Sequence, residues 1–465
     1  MGALPLNPSP SARRSPLLLA GLLAGVLVVA PTAHGARPAP NVHTGSAYVP
    51  GEVIVRYAPS ATRRVRAAAQ RSTGAGRPHV FAPRTRVLQI RDGESVRDTI
   101  AELERRPGVL TASPNWVARV SAFVPDDPGQ PGNPPGGWQG VQWNFGAQAG
   151  VNAPAAWERL NALGRPGGKG VKVAVLDTGV AYASRRGFRR SPDLRNRFLQ
   201  GRDFVDGDPY PDDLNGHGTH VASTIAETTG NGFGLTGIAY GTRIMPVRVL
   251  DRSGTGDSVA ISAGIRYAAR RGAKIINLSF EFDASVTRGQ IPDILDALRY
   301  ARRKGALVVG ASGNFSARAV AYPARAANVL SVGATTEHLC QADYSNSGAA
   351  LDIAGPGGGL DADVPGDPNC RPGAEPAGRD IYQLTYTSRS VRSFGYPSGY
   401  VGTSMAAPHV SATAALVIAS GVIGPRPRPA QIEARLKSTA RDLGAPGRDA
   451  RYGAGLVDAA RAVTP

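Results

Sequence analysis

Three residues with the chemistry of acyl transfer stand in short, glycine-bounded motifs of this chain. They are Asp177 in Asp177-Thr178-Gly179, His217 in Asn215-Gly216-His217-Gly218-Thr219-His220, and Ser404 in Gly402-Thr403-Ser404-Met405-Ala406-Ala407-Pro408. A serine hydroxyl attacks a carbonyl only when a base takes its proton, and a histidine base needs a carboxylate to hold its tautomer and balance its charge. Each motif has a plainer reading. A serine at a helix entrance is commonly an N-cap. Asp-Thr-Gly also forms the loop of aspartic proteases, which need two carboxylates sharing one proton, whereas this chain has one such tripeptide. His217 and His220 could be a metal pair, but no adjacent Glu completes the zinc-protease pattern. Only a Ser–His–Asp site uses all three motifs at once.

Such a site needs rigid elements to aim its parts. Val171-Lys172-Val173-Ala174-Val175-Leu176 is a nearly continuous apolar run that ends at Asp177. Comparable runs lie at Arg243–Leu250, Lys274–Leu278, Ala306–Gly310 and Val329–Ala334. Helical periodicity covers Val221–Thr228, Ser258–Arg271, Asp293–Lys304, Ser404–Ala419 and Pro429–Thr439. Buried-type strands alternating with helices predict an α/β fold built on a doubly wound parallel sheet. In such sheets chemistry collects outside the carboxyl ends of the strands, which is where Asp177 falls.

The chain has 465 residues, more than one ordinary domain. Arg13 and Arg14, an apolar run from Leu17 to Ala30 and the small residues after it predict a signal peptide over 1–35. That run is too short to span a membrane comfortably, and the mature chain is expected to be soluble. Residues 36–47 read as linker. Residues 48–119 read as a small α+β unit, with strands at Gly51–Tyr57, Arg86–Ile90 and Val109–Ala112 and a helix over Ser95–Arg106. Residues 120–138 are dense in Pro and Gly and read as an exposed linker and processing region. Residues 139–465 carry the three motifs.

In the order Asp–His–Ser the motifs resemble those of the subtilisin-like serine peptidases, the subtilases. The likeness runs from about Gln142 to Gly453-Ala454-Gly455-Leu456-Val457-Asp458, and 48–119 is similar, more weakly, to the family's inhibitory propeptide. The resemblance implies that Ser404 attacks the scissile carbonyl, that His217 is general base and then acid, and that Asp177 orients it. It places the oxyanion between the Ser404 amide and the Asn314 side chain. Substrate would lie as an added strand between Ser253-Gly254-Thr255-Gly256 and Ser279-Phe280-Glu281, close to Gly313. Where the family usually has Leu-Gly-Gly, this chain has Phe280-Glu281-Phe282. Either Glu281 favours basic side chains in the first pocket, or it points to solvent and only the loop's shape differs. The resemblance also implies structural Ca²⁺, held by Asp193, Asn231, the carbonyls of Phe233 and Leu235, and Gln142.

The formal charge is +18, but residues 1–120 hold 16 Arg and no Lys against 6 acids, a net of +10 in the part expected to be removed. No basic stripe interleaved with aromatic residues appears, so nucleic acid is not an expected partner. The two cysteines, Cys340 and Cys370, are expected to pair in an exported protein. The expectation is a secreted, monomeric serine endopeptidase acting on polypeptides, processed from its own precursor and inhibited by its own propeptide. An inactive peptide-binding relative and a peptide ligase remain as alternatives.

Overall fold

The strand and helix patterns recur in three dimensions in two separate units, Met1–Val120 and Ser121–Pro465. The computed structural model describes residues 48–465 apart from 73–78, 91–94, 117–122, 196–197, 374 and 389. The expected signal peptide and the linker after it lie outside the described residues.

The first unit runs β1 (Tyr48–Tyr57), α1 (Arg63–Ser72), β2 (His79–Ala82), β3 (Thr85–Gln89), α2 (Val96–Glu104) and β4 (Val109–Trp116). Its strands form an antiparallel sheet in the order β2-β3-β1-β4. Val53 and Val55 of β1, Leu88 of β3 and Leu103 of α2 are buried in its core. Ser95 caps α2, its Oγ accepting the Asp98 amide at 3.3 Å. The sequence pattern did not reveal α1 or β2.

The second unit opens with α3 (Trp138–Val141) and α4 (Ala153–Ala162), then β5 (Lys172–Asp177), β6 (Arg202–Asp203), α5 (His217–Ala226) and β7 (Arg243–Arg248). It continues with α6 (Ser258–Arg270), β8 (Ile275–Leu278), α7 (Pro292–Arg303), β9 (Leu307–Ala311), β10 (Val329–Thr335) and β11 (Ile353–Pro356). The short β12 (Thr385–Tyr386) and β13 (Phe394–Gly395) pair with each other, and α8 (Thr403–Ser420), α9 (Pro429–Ser438) and α10 (Ala459–Val463) complete the unit. The main sheet has seven strands in the order β11-β10-β9-β8-β5-β7-β6, and every pairing is parallel.

Both faces of this sheet are buried, which is why its strands read as unbroken apolar runs. Along β5, Val173 and Val175 join the core on one side while Ala174 and Leu176 join the core on the other. The first core is filled by α4, α5 and α8, the second by α6 and α7. Nearly every residue of α8 is buried, so its apolar residues surround the helix rather than forming one stripe, and its polar residues Ser411 and His409 are hydrogen-bonded inside.

The stretch Phe123–Trp138 departs from the expectation of an exposed linker. It has almost no regular structure, yet it is packed into the second unit. The Phe123 ring lies 6.5 Å from Trp157 and 6.1 Å from Tyr240. Trp138 is buried and its Nε1 donates to the Pro125 carbonyl at 3.1 Å. Asp127 is fully buried and takes the amides of Gly230 at 2.8 Å and Asn231 at 3.0 Å. Proline and glycine exclude a ladder of backbone bonds, but they do not exclude anchoring by side chains.

Cys340 and Cys370 form a disulfide with Cα atoms 4.8 Å apart, closing a 30-residue separation.

Candidate active site

Asp177 is the last residue of β5 and is fully buried. Its Oδ1 accepts the Thr178 amide at 2.8 Å and faces His217 Nδ1 at 2.7 Å. Its Oδ2 is buried without a hydrogen-bond partner among the described residues, so the charge is left to act on the imidazole. His217 opens α5, four residues earlier than the hydrophobic period places the helix start. This lets the ring reach back to Asp177. Gly218 makes the approach possible: a Cβ there would lie 2.1 Å from the Gly179 carbonyl.

The hub that holds this turn is Asp213, which sequence reasoning passed over. Its Oδ1 accepts Thr178 Oγ1 and the amides of Asn215 and Gly216, each at 2.9 Å. Its Oδ2 accepts the Thr219 amide at 2.9 Å and its hydroxyl at 2.6 Å. An Asp four residues ahead of the motif histidine, before Asn-Gly, is the visible signal of an Asx-type turn feeding a helix.

Burial presses the His217 imidazole down. Asp177, by charge and by hydrogen bond, overrides that, with Asp213 and Glu281 adding to it, and the pKa ends above its ordinary 6.5. His220 behaves differently. Burial drives it down to about 3, its Nε2 donates to the Ile381 carbonyl at 2.9 Å, and it stacks on Tyr400 at 4.1 Å. It is a neutral core residue.

Ser404 is the second residue of α8, 8% exposed, and neither its Oγ nor its backbone amide makes a hydrogen bond among the described residues. Its carbonyl has a special need. Pro408, four residues on, has no N–H to donate to it. Ser279 Oγ supplies that bond at 2.8 Å, supported by Asn277 Nδ2 at 2.8 Å, while Ser411 donates to Asn277 Oδ1 at 2.8 Å. Ser279 therefore fixes the nucleophile helix from inside, and its side chain is not part of a substrate pocket. The Phe280 ring is likewise packed into the second core.

Asn314 follows β9. Thr403 donates to its Oδ1 from its amide at 2.8 Å and from Oγ1 at 3.0 Å. That fixes the amide, with Nδ2 turned outward as donor. A Cβ on Gly402 would lie 3.5 Å from Asn314 Oδ1, 3.6 Å from Ser404 N and 3.7 Å from Asn314 Nδ2, so both donors lie close to the same small region beside Gly402. The Gly313 amide donates to Thr403 Oγ1 at 3.2 Å. Glu281 does not point to solvent: its Oε1 accepts Asn314 Nδ2 at 3.1 Å. Across the site, Ser253, Gly254 and Thr255 are exposed and Gly256 half-buried, all in a turn gathered by Asp251 Oδ1.

A second cluster of acids lies at the carboxyl end of α5. Asp193 accepts Asn231 Nδ2 at 2.8 Å and the Leu235 amide at 3.1 Å. Asp127 and Glu227, both unforeseen, are buried beside it. Burial raises the pKa of all three carboxyls; repulsion from Asp127 adds to this at Asp193, from Asp193 and Asp127 at Glu227, and from Asp126 at Asp127. Neither Glu227 oxygen makes a well-aligned hydrogen bond among the described residues, although the Leu384 amide lies close enough to favour the charged form. The carbonyls of Phe233 and Leu235 accept no hydrogen bond among the described residues. Gln142, expected as a ligand, instead uses both ends of its amide on Thr236, at 2.8 and 3.1 Å. As the side chains stand, no group of three or more His, Cys, Asp or Glu among the described residues forms a metal cage.

Comparison with known proteins identifies the family. The subtilase family model matches residues 168–455, and the fervidolysin N-terminal prodomain model matches 36–115. The thermophilic serine proteinase of Bacillus sp. (strain AK1) is 32% identical over 380 residues, 82% of this chain and 80% of that protein. Subtilisin Savinase of Lederbergia lenta is 38% identical over 322 residues, 69% of this chain and 98% of that one. A solved protease of Pseudoalteromonas arctica PAMC 21717 is 32% identical, with a TM-score of 0.57 over 73% of this chain and 99% of that one. The chain belongs to the subtilase family: it is a subtilisin-like serine endopeptidase with an N-terminal prodomain.

Proposed function

We propose that this endopeptidase is secreted as a precursor, cuts itself free of its prodomain, and hydrolyses polypeptides through an acyl-enzyme on Ser404. In the first step Ser404 Oγ bonds to the scissile carbonyl carbon while its proton passes to His217 Nε2. The carbonyl oxygen becomes an oxyanion between Ser404 N and Asn314 Nδ2. Collapse of that adduct breaks the C–N bond, and His217 returns its proton to the leaving amine. Water then repeats the sequence on the ester. The observation that carries this reading is the 2.7 Å contact of His217 Nδ1 with the buried Asp177, on a base whose pKa is lifted above 6.5. Incubation with a peptide library, followed by mass analysis, tests it. Cleaved products with free carboxylates are expected, and ligated products would contradict hydrolysis.

The anchoring of Phe123–Trp138 argues that the prodomain is released on the amino side of Phe123. A cut within 124–135 would detach Phe123 from the core and free the strand of chain that carries Asp127.

The acidic cluster fits Ca²⁺, a cation of hard oxygen ligands. Asp193, Asp127, Glu227, the Asn231 side chain and the carbonyls of Phe233 and Leu235 would hold it, and Gln142 would clamp the loop from behind. The ion would neutralise buried charge and take no part in the acyl transfer. At calcium 100-fold above its Kd the gain is about 2.7 kcal/mol. Treatment with a chelator should lower Tm by several degrees, restored by calcium and not by magnesium. A Tm indifferent to both would remove the site.

A further inference from the structure

The outward-facing Nδ2 of Asn314 already commits one of its two hydrogens. Glu281 Oε1 accepts it at 3.1 Å, and the Asn314 backbone amide faces the same carboxyl. The amide cannot turn away, because two bonds from Thr403 hold its oxygen. Glu281 is half-buried and follows Phe280, whose ring is locked in the core, while the amide of Phe282 is fixed to the Tyr322 carbonyl at 2.7 Å. The loop is thus anchored on both sides of Glu281, which leaves its side chain as the part able to move.

Resting on the reading of Ser404 and Asn314 above, we propose that Glu281 is a gating residue: its carboxyl holds the Asn314 member of the oxyanion pair in the resting enzyme and must leave, or lose its charge, before acyl transfer. A carboxylate on that amide nitrogen imitates the oxyanion it is meant to receive. The developing oxyanion has to displace it, and a carboxylate that stays nearby repels that charge.

The contact carries a pH dependence. Burial raises the Glu281 carboxyl above its ordinary 4.5, against the hydrogen bonds from Asn314 and the charge of His217. The titratable groups around it are His217 of α5, with Asp177 behind it, Tyr322 beneath Phe282, and Asp283, which is exposed and tied to Ser285. The first turn of α8 carries no acidic residue. Glu281 ionises as pH rises, and the ionised form grips Asn314 harder. The gate is therefore most closed at the alkaline pH at which His217 is neutral and ready as base.

The test compares full-chain enzyme, matured and purified, as wild type, Glu281→Gln and Glu281→Gly. Three quantities are read at pH 5 to 9. They are kcat and KM on peptide anilides with a neutral or a cationic first residue, the affinity of a peptide aldehyde that forms an oxyanion adduct, and the rate of fluorophosphonate labelling. The gate predicts kcat higher by about tenfold, the worth of one charge-assisted hydrogen bond. It predicts little change in KM, tighter aldehyde binding, faster labelling, and a gain that grows with pH, alike for neutral and cationic substrates. Unchanged kcat and aldehyde affinity in both variants, with wild type labelled normally, overturns the gate and leaves the peptidase reading standing. A selective loss on cationic substrates overturns it in favour of a first-pocket specificity role. Absence of labelling in all three proteins overturns both readings. Labelling in the variants alone supports the gate in its strongest form.

Discussion

Replacing Ser404 by alanine is expected to lower kcat by about 10⁶, a magnitude that belongs to subtilisin itself and is carried over with the family. The substitution leaves the rest of the site in place, so whatever catalysis remains comes from the oxyanion donors and binding. Little else should change. Ser404 Oγ makes no hydrogen bond among the described residues, so its removal orphans no buried partner. The Ser404 carbonyl, which Ser279 holds at 2.8 Å, is common to both residues. Thermal stability should stay within about 1 kcal/mol of wild type. In a host without other proteases this variant should accumulate as the uncut precursor. A precursor that matures normally would show that another enzyme does the processing.

Replacing Asp177 by asparagine is expected to cost about 10⁴ in kcat, by the general arithmetic of the triad. In this site Oδ1 faces both the Thr178 amide and His217 Nδ1, while Oδ2 has no partner among the described residues. An asparagine must either put its NH₂ where Oδ2 lies, buried and unsatisfied, or turn it against the Thr178 N–H. The first choice removes the charge that steadies the imidazolium, and the second imposes the wrong tautomer. The pH profile separates this from misfolding. In wild type, His217 must lose its proton to act as base, so the rate climbs through a pKa held above 6.5. Without the Asp177 charge, burial prevails and that pKa falls, so the acidic limb of kcat/KM should move to lower pH. A limb that stays in place would mean that Asp177 does not govern the base.

The catalytic motifs were legible because each residue ends or begins an element that the apolar pattern reveals. Asp177 closes β5, His217 opens α5, and Ser404 sits in the first turn of α8. The parallel sheet was legible for the same reason, through strands buried on both faces. What stayed hidden depends on contacts between distant segments. Short pieces such as β2 and β11, with four residues each, offer too few periods to detect. The proline- and glycine-rich stretch before Trp138 announced the lack of a ladder correctly, but Asp127 and Phe123 dock it on residues about a hundred positions away. Ser279 reads as part of the segment beside the added substrate strand, and only the missing N–H of Pro408 reveals the duty of its hydroxyl. Glu281 could be noticed as a departure from glycine, but where its carboxyl goes depends on Asn314, 33 residues on.

The central claim is that Ser404 is a nucleophile activated through His217 and Asp177. Fluorophosphonate labelling of the matured protein, read by intact mass and peptide mapping, addresses it directly. One adduct per chain, on the peptide containing Ser404 and lost in His217→Ala, is the predicted result. An unlabelled chain, or an adduct on any other residue, would contradict it.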